Sequence, residues 1–212
     1  MALLSILALL HAQPAFAASN SDDFNRADNA DLGTDWAGLL GNCKIVTNTV
    51  QPTTTGTECA EGFGAGTTDF TDDHSSQVTL STFNSAAESG IGVIVRAVSN
   101  TFYACYANRN AASTTTVIGE WTAGVFASLT SENSTTWAAT DTIKLKVIGS
   151  TLTCYRNGAQ LLTTTDATIT TGQPGIYAYV ITSATTTTIF DDWAGSDEVA
   201  SSTRRPQSPI VF

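Results

Sequence analysis

Residues 141–164 read Asp141-Thr-Ile-Lys-Leu-Lys-Val-Ile148, Gly149-Ser150, Thr151-Leu-Thr-Cys-Tyr-Arg156, Asn157-Gly158 and Ala159-Gln-Leu-Leu-Thr-Thr164. In the first run, apolar residues alternate with Thr and Lys, which is the period of a strand with one buried face and one wet face. Asn-Gly is the strongest short hairpin signal because a type I′ turn needs a positive φ at both central residues. Three antiparallel strands therefore follow one another here, and their apolar face must pack on a second layer.

Strand patterns also lie on both sides of this stretch, and turn signals separate them by roughly 10 to 15 residues. The predicted strands are 75–83, 91–96, 101–108, 114–121, 123–129, 176–181 and 185–193. The segment 38–66 is predicted as a loose hairpin with a long loop, and no helix-period stretch follows Ala18. Because 212 residues can bury one good core, the pattern predicts a single all-β domain built as a two-sheet antiparallel sandwich.

The N-terminal segment is apolar and differs from the rest of the chain. It is rich in leucine and ends in Ala15-Phe-Ala17, which is typical of a secretory signal with a small-residue cleavage site. No Lys or Arg precedes the apolar run, and the run is too short to span a bilayer. Two interpretations stay open: a cleaved signal, or a retained arm that docks on a partner through Leu3, Leu7 and Leu10.

The C-terminal segment Arg204-Arg-Pro-Gln-Ser-Pro-Ile-Val-Phe212 carries two adjacent positive charges, two prolines and an apolar end. Proline holds such a segment extended and out of helices. One interpretation is a disordered tail. The other is docking on a neighbouring subunit through Arg204, Arg205, Ile210 and Phe212. We therefore predict an arm or signal-like segment over 1–20, a sandwich over 21–195 and an extended tail over 196–212.

The charge of the chain excludes some partners. Charged residues make up 13% of the sequence, about half the usual share for a soluble protein. The formal net charge is -10, whereas a nucleic-acid surface requires clustered Lys and Arg. We expect no nucleic-acid partner and no membrane span.

The four cysteines show no zinc-ligand spacing, since there is no Cys-x-x-Cys and the chain has only two histidines. Cys43 and Cys59 flank a Thr-rich loop and are the candidates for a disulfide. Cys105 and Cys154 lie in predicted strands, where we interpret them as small buried hydrophobic residues in preference to a bridge.

Several short motifs, in their order along the chain, carry a resemblance to a known family. They are Asp23-Phe-Asn-Arg-Ala-Asp28, Leu32-Gly33-x-x-Trp36, Gly92-Val-x-Val-Arg96, Ile148-Gly-Ser-Thr-Leu-Thr-x-Tyr-x-Asn-Gly158, Gly172-x-Pro-Gly-Ile176 and Phe190-Asp-Asp-Trp193. Over about residues 22–197 the chain resembles the concanavalin A-like lectin/glucanase (laminin G-like) domains of phage and bacterial surface proteins. The resemblance implies a jelly-roll whose first and last strands lie side by side. It does not name an activity, because this fold carries many functions.

No catalytic constellation is predicted. A glycosidase needs two carboxylates that face one another across a cleft, and hydrolases of the family resembled typically carry them on one strand as Glu-x-Asp-x-x-Glu, a run that this chain lacks. The glutamates are isolated and are interpreted as solvated rim charge; they are Glu58, Glu61, Glu88, Glu120, Glu132 and Glu198. The chain has two histidines, His11 and His74, but no Gly-x-Ser-x-Gly motif for a nucleophilic serine, so a nucleophilic triad is not indicated either.

Calcium is the one cofactor that the pattern raises. The pairs Asp22-Asp23 and Asp191-Asp192 come close if the first and last strands pair, and calcium prefers oxygen ligands. The favoured interpretation is that these residues face water or cap turns. We therefore predict no metal and no cofactor.

Aromatic residues are the candidates for ligand binding, because exposed rings can stack on sugars. By position these are Trp121, Trp137, Tyr103 and Tyr106. Trp137 lies in a polar run and is expected to be the least buried of them. The alternative is that all four rings belong to the core, as is common in sandwiches.

Three functions follow as hypotheses. The first is a non-enzymatic structural and binding module on a phage virion surface, such as a capsid decoration or tail-associated subunit, whose terminal segments dock on neighbouring subunits. A homo-oligomer and a glycan ligand are expected partners. The alternative is a secreted bacterial lectin-like carbohydrate-binding protein with a cleaved signal. The third is a glycan hydrolase with a degenerate site that depends on Glu120.

Overall fold

The structure is a computed structural model that describes residues 17–53, 56–64, 70–83, 89–110, 113–180 and 188–199. The secondary structure of these residues consists of strands, with no helix among them. Nothing in this part of the chain forms a helix long and apolar enough to cross a membrane. The terminal residues predicted to dock on partners lie outside the described residues; they are Leu3, Leu7, Leu10, Arg204, Arg205, Ile210 and Phe212.

The strands form two antiparallel sheets. In chain order they are β1 (Ser19–Asp22), β2 (Trp36–Leu40), β3 (Cys43–Val46), β4 (Thr49–Pro52), β5 (Thr57–Phe63), β6 (His74–Phe83), β7 (Ser89–Val98), β8 (Thr101–Asn110), β9 (Ser113–Thr122), β10 (Val125–Glu132), β11 (Thr142–Ile148), β12 (Thr151–Arg156), β13 (Ala159–Thr165), β14 (Gln173–Val180) and β15 (Thr188–Asp197). The first sheet has the order β13-β12-β11-β6-β15-β4-β3, and β1 also pairs with β15. The second sheet has the order β10-β9-β8-β7-β14-β5-β2. The predicted jelly-roll sandwich is confirmed.

The three consecutive strands predicted from residues 141–164 are β11, β12 and β13, which pair in that order. Asn157 and Gly158 link β12 to β13 with φ values of 49° and 78°, as a type I′ turn requires. Ile143, Leu145 and Val147 are fully buried, whereas the residues between them are half-buried. The alternation of the sequence is therefore the alternation of the two faces of the sheet.

The inter-sheet core is a layer of buried side chains contributed by both sheets. Trp193 of β15 stacks on Phe63 of β5, with ring centroids 4.6 Å apart, and meets Trp36 of β2 edge-on at 5.0 Å. The first and last strands pair in antiparallel register, with Ser21 opposite Ala194. The resemblance implied this pairing, which places the first and last strands of the sandwich side by side.

The segment 38–66 differs from the predicted loose hairpin. It contains most of four strands: β3 and β4 form a hairpin in the first sheet, whereas β2 and β5 pair in the second. The turn of the hairpin is Thr47-Asn48, with φ values of 50° and 60°. Thr rarely adopts this left-handed conformation, so the turn has no strong local signal. Pairing with distant strands, and not local propensity, makes this segment regular.

Both disulfides join one sheet to the other. Cys43 of β3 is bonded to Cys59 of β5, the pair that the sequence favoured, with Cα atoms 5.2 Å apart. Cys105 of β8 is bonded to Cys154 of β12, with a Cα separation of 6.1 Å. The interpretation of Cys105 and Cys154 as unpaired buried residues was wrong. They lie on strands of different sheets whose facing sides meet only after the sandwich forms, and the sequence does not show which strands face each other.

Asp22 organises the first motif of the resemblance. Its Oδ1 atom accepts hydrogen bonds from the Phe24 N–H at 2.9 Å and from Arg26 Nη1 at 2.6 Å. Its Oδ2 atom accepts from Trp36 Nε1 at 2.8 Å and from Arg26 Nη2 at 3.0 Å. Burial alone would raise the pKa of Asp22, but these donors outweigh burial and lower it. These hydrogen bonds position Phe24 and Trp36, which are both buried.

The buried guanidinium of Arg96 connects loops at one end of the sandwich. Arg96 is 4% exposed, and its guanidinium donates to the carbonyl oxygens of Asp72, Ile169 and Gly149 at 3.0, 2.9 and 2.7 Å. Its backbone N–H donates to Nε2 of His74 at 3.0 Å. His74 is the first residue of β6 and is fully buried. Because both of its ring nitrogens are occupied, it holds the structure together and has no free nitrogen for catalysis.

Glu61 corrects the interpretation of the glutamates as solvated rim charge. Its side chain lies at the inter-sheet side of β5 and is 4% exposed. Its Oε1 atom accepts a hydrogen bond from the Cys43 N–H at 2.8 Å. Burial raises its pKa from 4.5 to about 7, the Cys43 hydrogen bond opposes this shift, and the charge of Asp31 adds to it. Folding therefore favours the protonated form of this carboxyl.

We expect both disulfides to stabilise the fold, and the Cys105–Cys154 bond to stabilise it more. It closes a segment of 49 residues, against 16 for Cys43–Cys59. On the chain-entropy relation, replacing the longer pair by alanines should lower the free energy of unfolding by about 4 kcal/mol and replacing the shorter pair by about 3 kcal/mol. Urea unfolding of the two variants measures this. A larger loss for the Cys43–Cys59 pair would contradict it, and a reductant should abolish the difference from the wild type.

We expect Glu61→Gln to stabilise the protein at neutral pH and not in acid. The folded pKa lies above the unfolded value, so the wild type loses stability as the pH rises from 4.5 to about 7. The slope is about 1.4 kcal/mol per pH unit, which amounts to about 3 kcal/mol above pH 7. Glutamine keeps an acceptor for Cys43 but does not ionise. Urea unfolding at pH 4 and pH 8 tests this, and an equal difference between variant and wild type at both values would refute it.

Candidate functional site

The outer face of the second sheet, which points away from the first sheet, carries a second apolar cluster. Because side chains alternate along a strand, each strand of this sheet sends every other residue to this face. The cluster consists of Ala60, Ile94, Ala97, Phe102, Ala104, Tyr106, Val117, Trp121 and Tyr177. The second sheet is thus apolar on both faces, although only one of them packs on the other sheet.

Two glycines make room for aromatic rings on this face. A Cβ atom at Gly90 would lie 2.1 Å from Cε1 of Tyr179, and one at Gly119 would lie 2.5 Å from Cε2 of Phe126. Both distances are far below van der Waals contact. Gly90 lies within β7 and is covered by the Tyr179 ring.

A cavity of about 440 Å³ opens on this face, and we call it the aromatic cavity. The described residues that line it are Gly56, Thr57, Glu58, Tyr106, Trp121, Phe126, Tyr177, Tyr179 and Val180. They come from β5, β8, β9, β10 and β14 and from the turn before β5. Its volume lies within the range of small-ligand sites.

The aromatic rings of the cavity support one another. The Trp121 ring lies 4.9 Å from Tyr177 and 4.7 Å from Phe126, measured between centroids. Tyr106 meets Tyr177 edge-on at 5.3 Å. Pairs at such distances contribute about 0.5–1.5 kcal/mol each beyond their buried area. The rings are therefore held in place before any ligand arrives, except that Phe126 on the edge strand is 45% exposed.

Few polar groups reach the cavity. The Tyr177 hydroxyl donates to Oε1 of Glu58 at 3.0 Å, and the Tyr179 hydroxyl donates to Oδ1 of Asn108. Burial, and then the charge of Glu58, raise the pKa of Tyr177 well above its ordinary value, so this hydroxyl keeps its proton. The cavity therefore combines flat apolar surfaces with a carboxylate that can accept hydrogen bonds.

The four aromatic candidates from the sequence divide into two pairs. Trp121 and Tyr106 line the aromatic cavity. The Tyr103 ring lies in the inter-sheet core, and its hydroxyl donates to Asp166 and accepts from the Ile169 N–H at 2.9 Å. Trp137 is only 4% exposed and its Nε1 donates to Oγ1 of Thr116 at 3.0 Å, so the expectation of an exposed ring was wrong. A polar neighbourhood in sequence does not expose a ring that packs against a distant strand.

Sequence reasoning missed Glu58, Phe126, Tyr177 and Tyr179. The alternation Ile176-Tyr-Ala-Tyr-Val180 places both tyrosines on one face of β14, and this signal was available. What it could not show is that this face is the outer one. That depends on Ile176 and Ala178, the residues that alternate with the tyrosines, packing in the inter-sheet core.

The acidic pairs near the termini do come together, because β1 pairs with β15. Burial raises the pKa of Asp191, and the charges of Asp192, Asp23 and Asp22 add to this effect. Asp22 is engaged by Arg26 and Trp36, as described above. Across the described ranges, no group of three or more His, Cys, Asp or Glu side chains is arranged to hold a metal ion.

No protein-family model and no curated protein matches the chain. Solved structures do match it, at low sequence identity. The carbohydrate-binding module CBM66 from Bacillus subtilis has a TM-score of 0.56 and 12% identity, over 78% of this chain and 93% of that one. The CBM2 module of the evolved Dit of Lactobacillus casei BL23 phage J-1 has a TM-score of 0.56 and 11% identity, and the match covers 85% of this chain and 96% of that one.

The GH43 protein BlXynB from Bacillus licheniformis also matches, with a TM-score of 0.55 and 14% identity. The match covers 84% of this chain and only 39% of that protein. Identities this low show a shared fold and not a shared activity. The chain has the fold of the concanavalin A-like jelly-roll domains, as the resemblance of its motifs indicated.

Proposed function

We propose that the protein is a non-enzymatic carbohydrate-binding module and that the aromatic cavity is its binding site. The observation that carries this proposal is a cavity lined by five aromatic rings and a carboxylate on an open sheet face. A pyranose ring has an apolar C–H face that packs on aromatic rings, and hydroxyl groups that need hydrogen-bond partners. Rings already held by mutual contacts lose little freedom when a ligand binds.

The comparisons support the same class of function. Two matched solved structures are carbohydrate-binding modules, and this chain covers nearly the whole of each. Their names describe those proteins, and the cavity supplies the reason to extend the class to this chain.

The composition of the cavity supports a role without bond cleavage. A glycosidase places two carboxylates about 5–10 Å apart across the sugar. Glu58 is the one carboxylate among the described lining residues. Glu120, on which the hydrolase hypothesis depended, is not among them, and its Oε1 accepts from the Thr122 hydroxyl at 2.7 Å.

We expect Phe126→Ala to weaken carbohydrate binding about fivefold to thirtyfold with little loss of stability. Phe126 is 45% exposed and contributes a ring to the cavity, and removing an aromatic ring from a binding site costs about 1–2 kcal/mol. Binding is measured first on a glycan array and then by calorimetry with the glycans that bind on the array. Val125→Ala is the matched control, because Val125 is 71% exposed on the same strand and does not line the cavity.

Two results would count against this site. One is the absence of any carbohydrate ligand on the array. The other is a ligand whose affinity is equal for the wild type and Phe126→Ala.

We further propose that the module is displayed on a phage virion, with secretion from a bacterium as the alternative. Support comes from the likeness to a module of a phage Dit and from two disulfides, which persist outside the reducing cytosol. In the virion case the arm over 1–20 is retained, and both terminal segments dock on neighbouring subunits. In the secreted case the segment up to Ala17 is removed.

Amino-terminal sequencing of the mature protein separates the two cases. A start at Met1 or Ala2 is expected for the virion protein, and a start at Ala18 for the secreted one. In the first case, deletion of residues 204–212 should abolish incorporation into particles. Normal incorporation of the deleted protein would contradict the docking role of the tail.

A further inference from the structure

We infer that the aromatic cavity selects carbohydrates that carry a protonated amine, with Glu58 as the residue that determines this preference. The inference rests on the proposed function and adds the chemical class of ligand.

The described lining of the cavity carries a negative charge and no balancing positive charge. Glu58 is the one charged side chain among the described residues that line it. The stretches next to Gly56 and Val180 in the chain, 54–55 and 181–187, contain no Lys, Arg or His. The whole chain has a net charge of -10. A ligand with a carboxylate would meet repulsion here, and a ligand with an ammonium group would meet attraction.

Glu58 has a carboxylate oxygen that can accept a hydrogen bond from a ligand. Its Oε1 atom accepts the hydroxyl hydrogen of Tyr177 at 3.0 Å. Within the described residues, Oε2 accepts no hydrogen bond, and the side chain is half-buried. The Tyr177 contact holds the carboxylate in one orientation. A charge-assisted hydrogen bond from a ligand to a fixed acceptor is stronger than one between neutral groups.

The aromatic rings favour the same kind of ligand. The face of an aromatic ring is negative, so it attracts a cation within about 6 Å of the ring centroid. Tyr106, Trp121, Phe126 and Tyr177 line the cavity together with the carboxylate, and Phe126, at 45% exposed, is the most open of these four rings. A 2-amino sugar would place its apolar ring face on Phe126 and its ammonium group near Glu58. The same sugar after N-acetylation keeps the ring and loses the charge.

The test compares matched probes that differ at one substituent. The probes are glucosamine and galactosamine, their N-acetyl forms, the parent neutral sugars, the corresponding uronic acids and the β-1,4-linked oligomers of each series. Affinities are measured by calorimetry at low salt. We expect the amino sugars to bind at least fivefold tighter than the N-acetyl forms and the uronic acids to bind weakest. Added salt should reduce the difference.

Glu58→Gln tests the residue itself. Glutamine keeps an acceptor for the Tyr177 hydroxyl and removes the charge, so the fold should persist. We expect the affinity for amino sugars to fall about fivefold to tenfold and the affinity for neutral sugars to fall clearly less. Glu120→Gln is the matched control, since it removes one carboxylate from the same sheet but not from the cavity lining, and it should leave both affinities unchanged.

The possible outcomes separate this inference from the proposed function. If neutral or acidic glycans bind in a Phe126-dependent manner and amino sugars bind no tighter, the preference is wrong and carbohydrate binding stands. Equal effects of Glu58→Gln and Glu120→Gln would likewise overturn the role of Glu58. If no carbohydrate binds at all, both proposals fail.

Discussion

The contact of Trp193 with Phe63 and Trp36 holds the two sheets in one relative position. Trp193 belongs to the first sheet and the other two rings to the second. Its Nε1 donates to Oγ of Ser76 at 2.8 Å, and that hydroxyl donates to the Gly175 carbonyl of the opposite sheet at 2.6 Å. Large rings that interlock at centroid distances near 5 Å allow few alternative packings, because interiors are close-packed.

Two disulfides and the hydrogen bonds of a buried arginine stabilise the structure around this aromatic contact. The disulfides tie β3 to β5 and β8 to β12, so each sheet is bonded to the other at two separate places. Arg96 adopts a φ of 51°, a conformation that costs about 1–3 kcal/mol for a residue other than glycine. Its buried guanidinium is satisfied by carbonyl groups of three separate loops. These bonds offset the cost of the backbone conformation and of burying a charge.

The second sheet is apolar on both faces, although the first sheet packs on only one of them. On the outer face the rings pack on one another and on the sheet, which leaves Trp121 and Tyr177 almost fully buried. What remains open to solvent is the aromatic cavity, where a ligand would complete the burial. A rigid, preformed and slightly incomplete surface is well suited to weak, selective recognition of a small polar ring.

Local patterns can be predicted from the amino-acid sequence: the alternation along β11, the Asn157-Gly158 turn, and the two-sheet class that follows from many short amphipathic strands. These depend on neighbours within a few residues. The partner of Cys105, the burial of Trp137 and Glu61, and the meeting of Tyr106, Trp121, Phe126 and Tyr177 were decided only by the tertiary structure. An alternating pattern shows that a strand has two faces, but not which strand lies beside it or which face points to the other sheet. Strand order, a property of contacts distant in sequence, makes that choice.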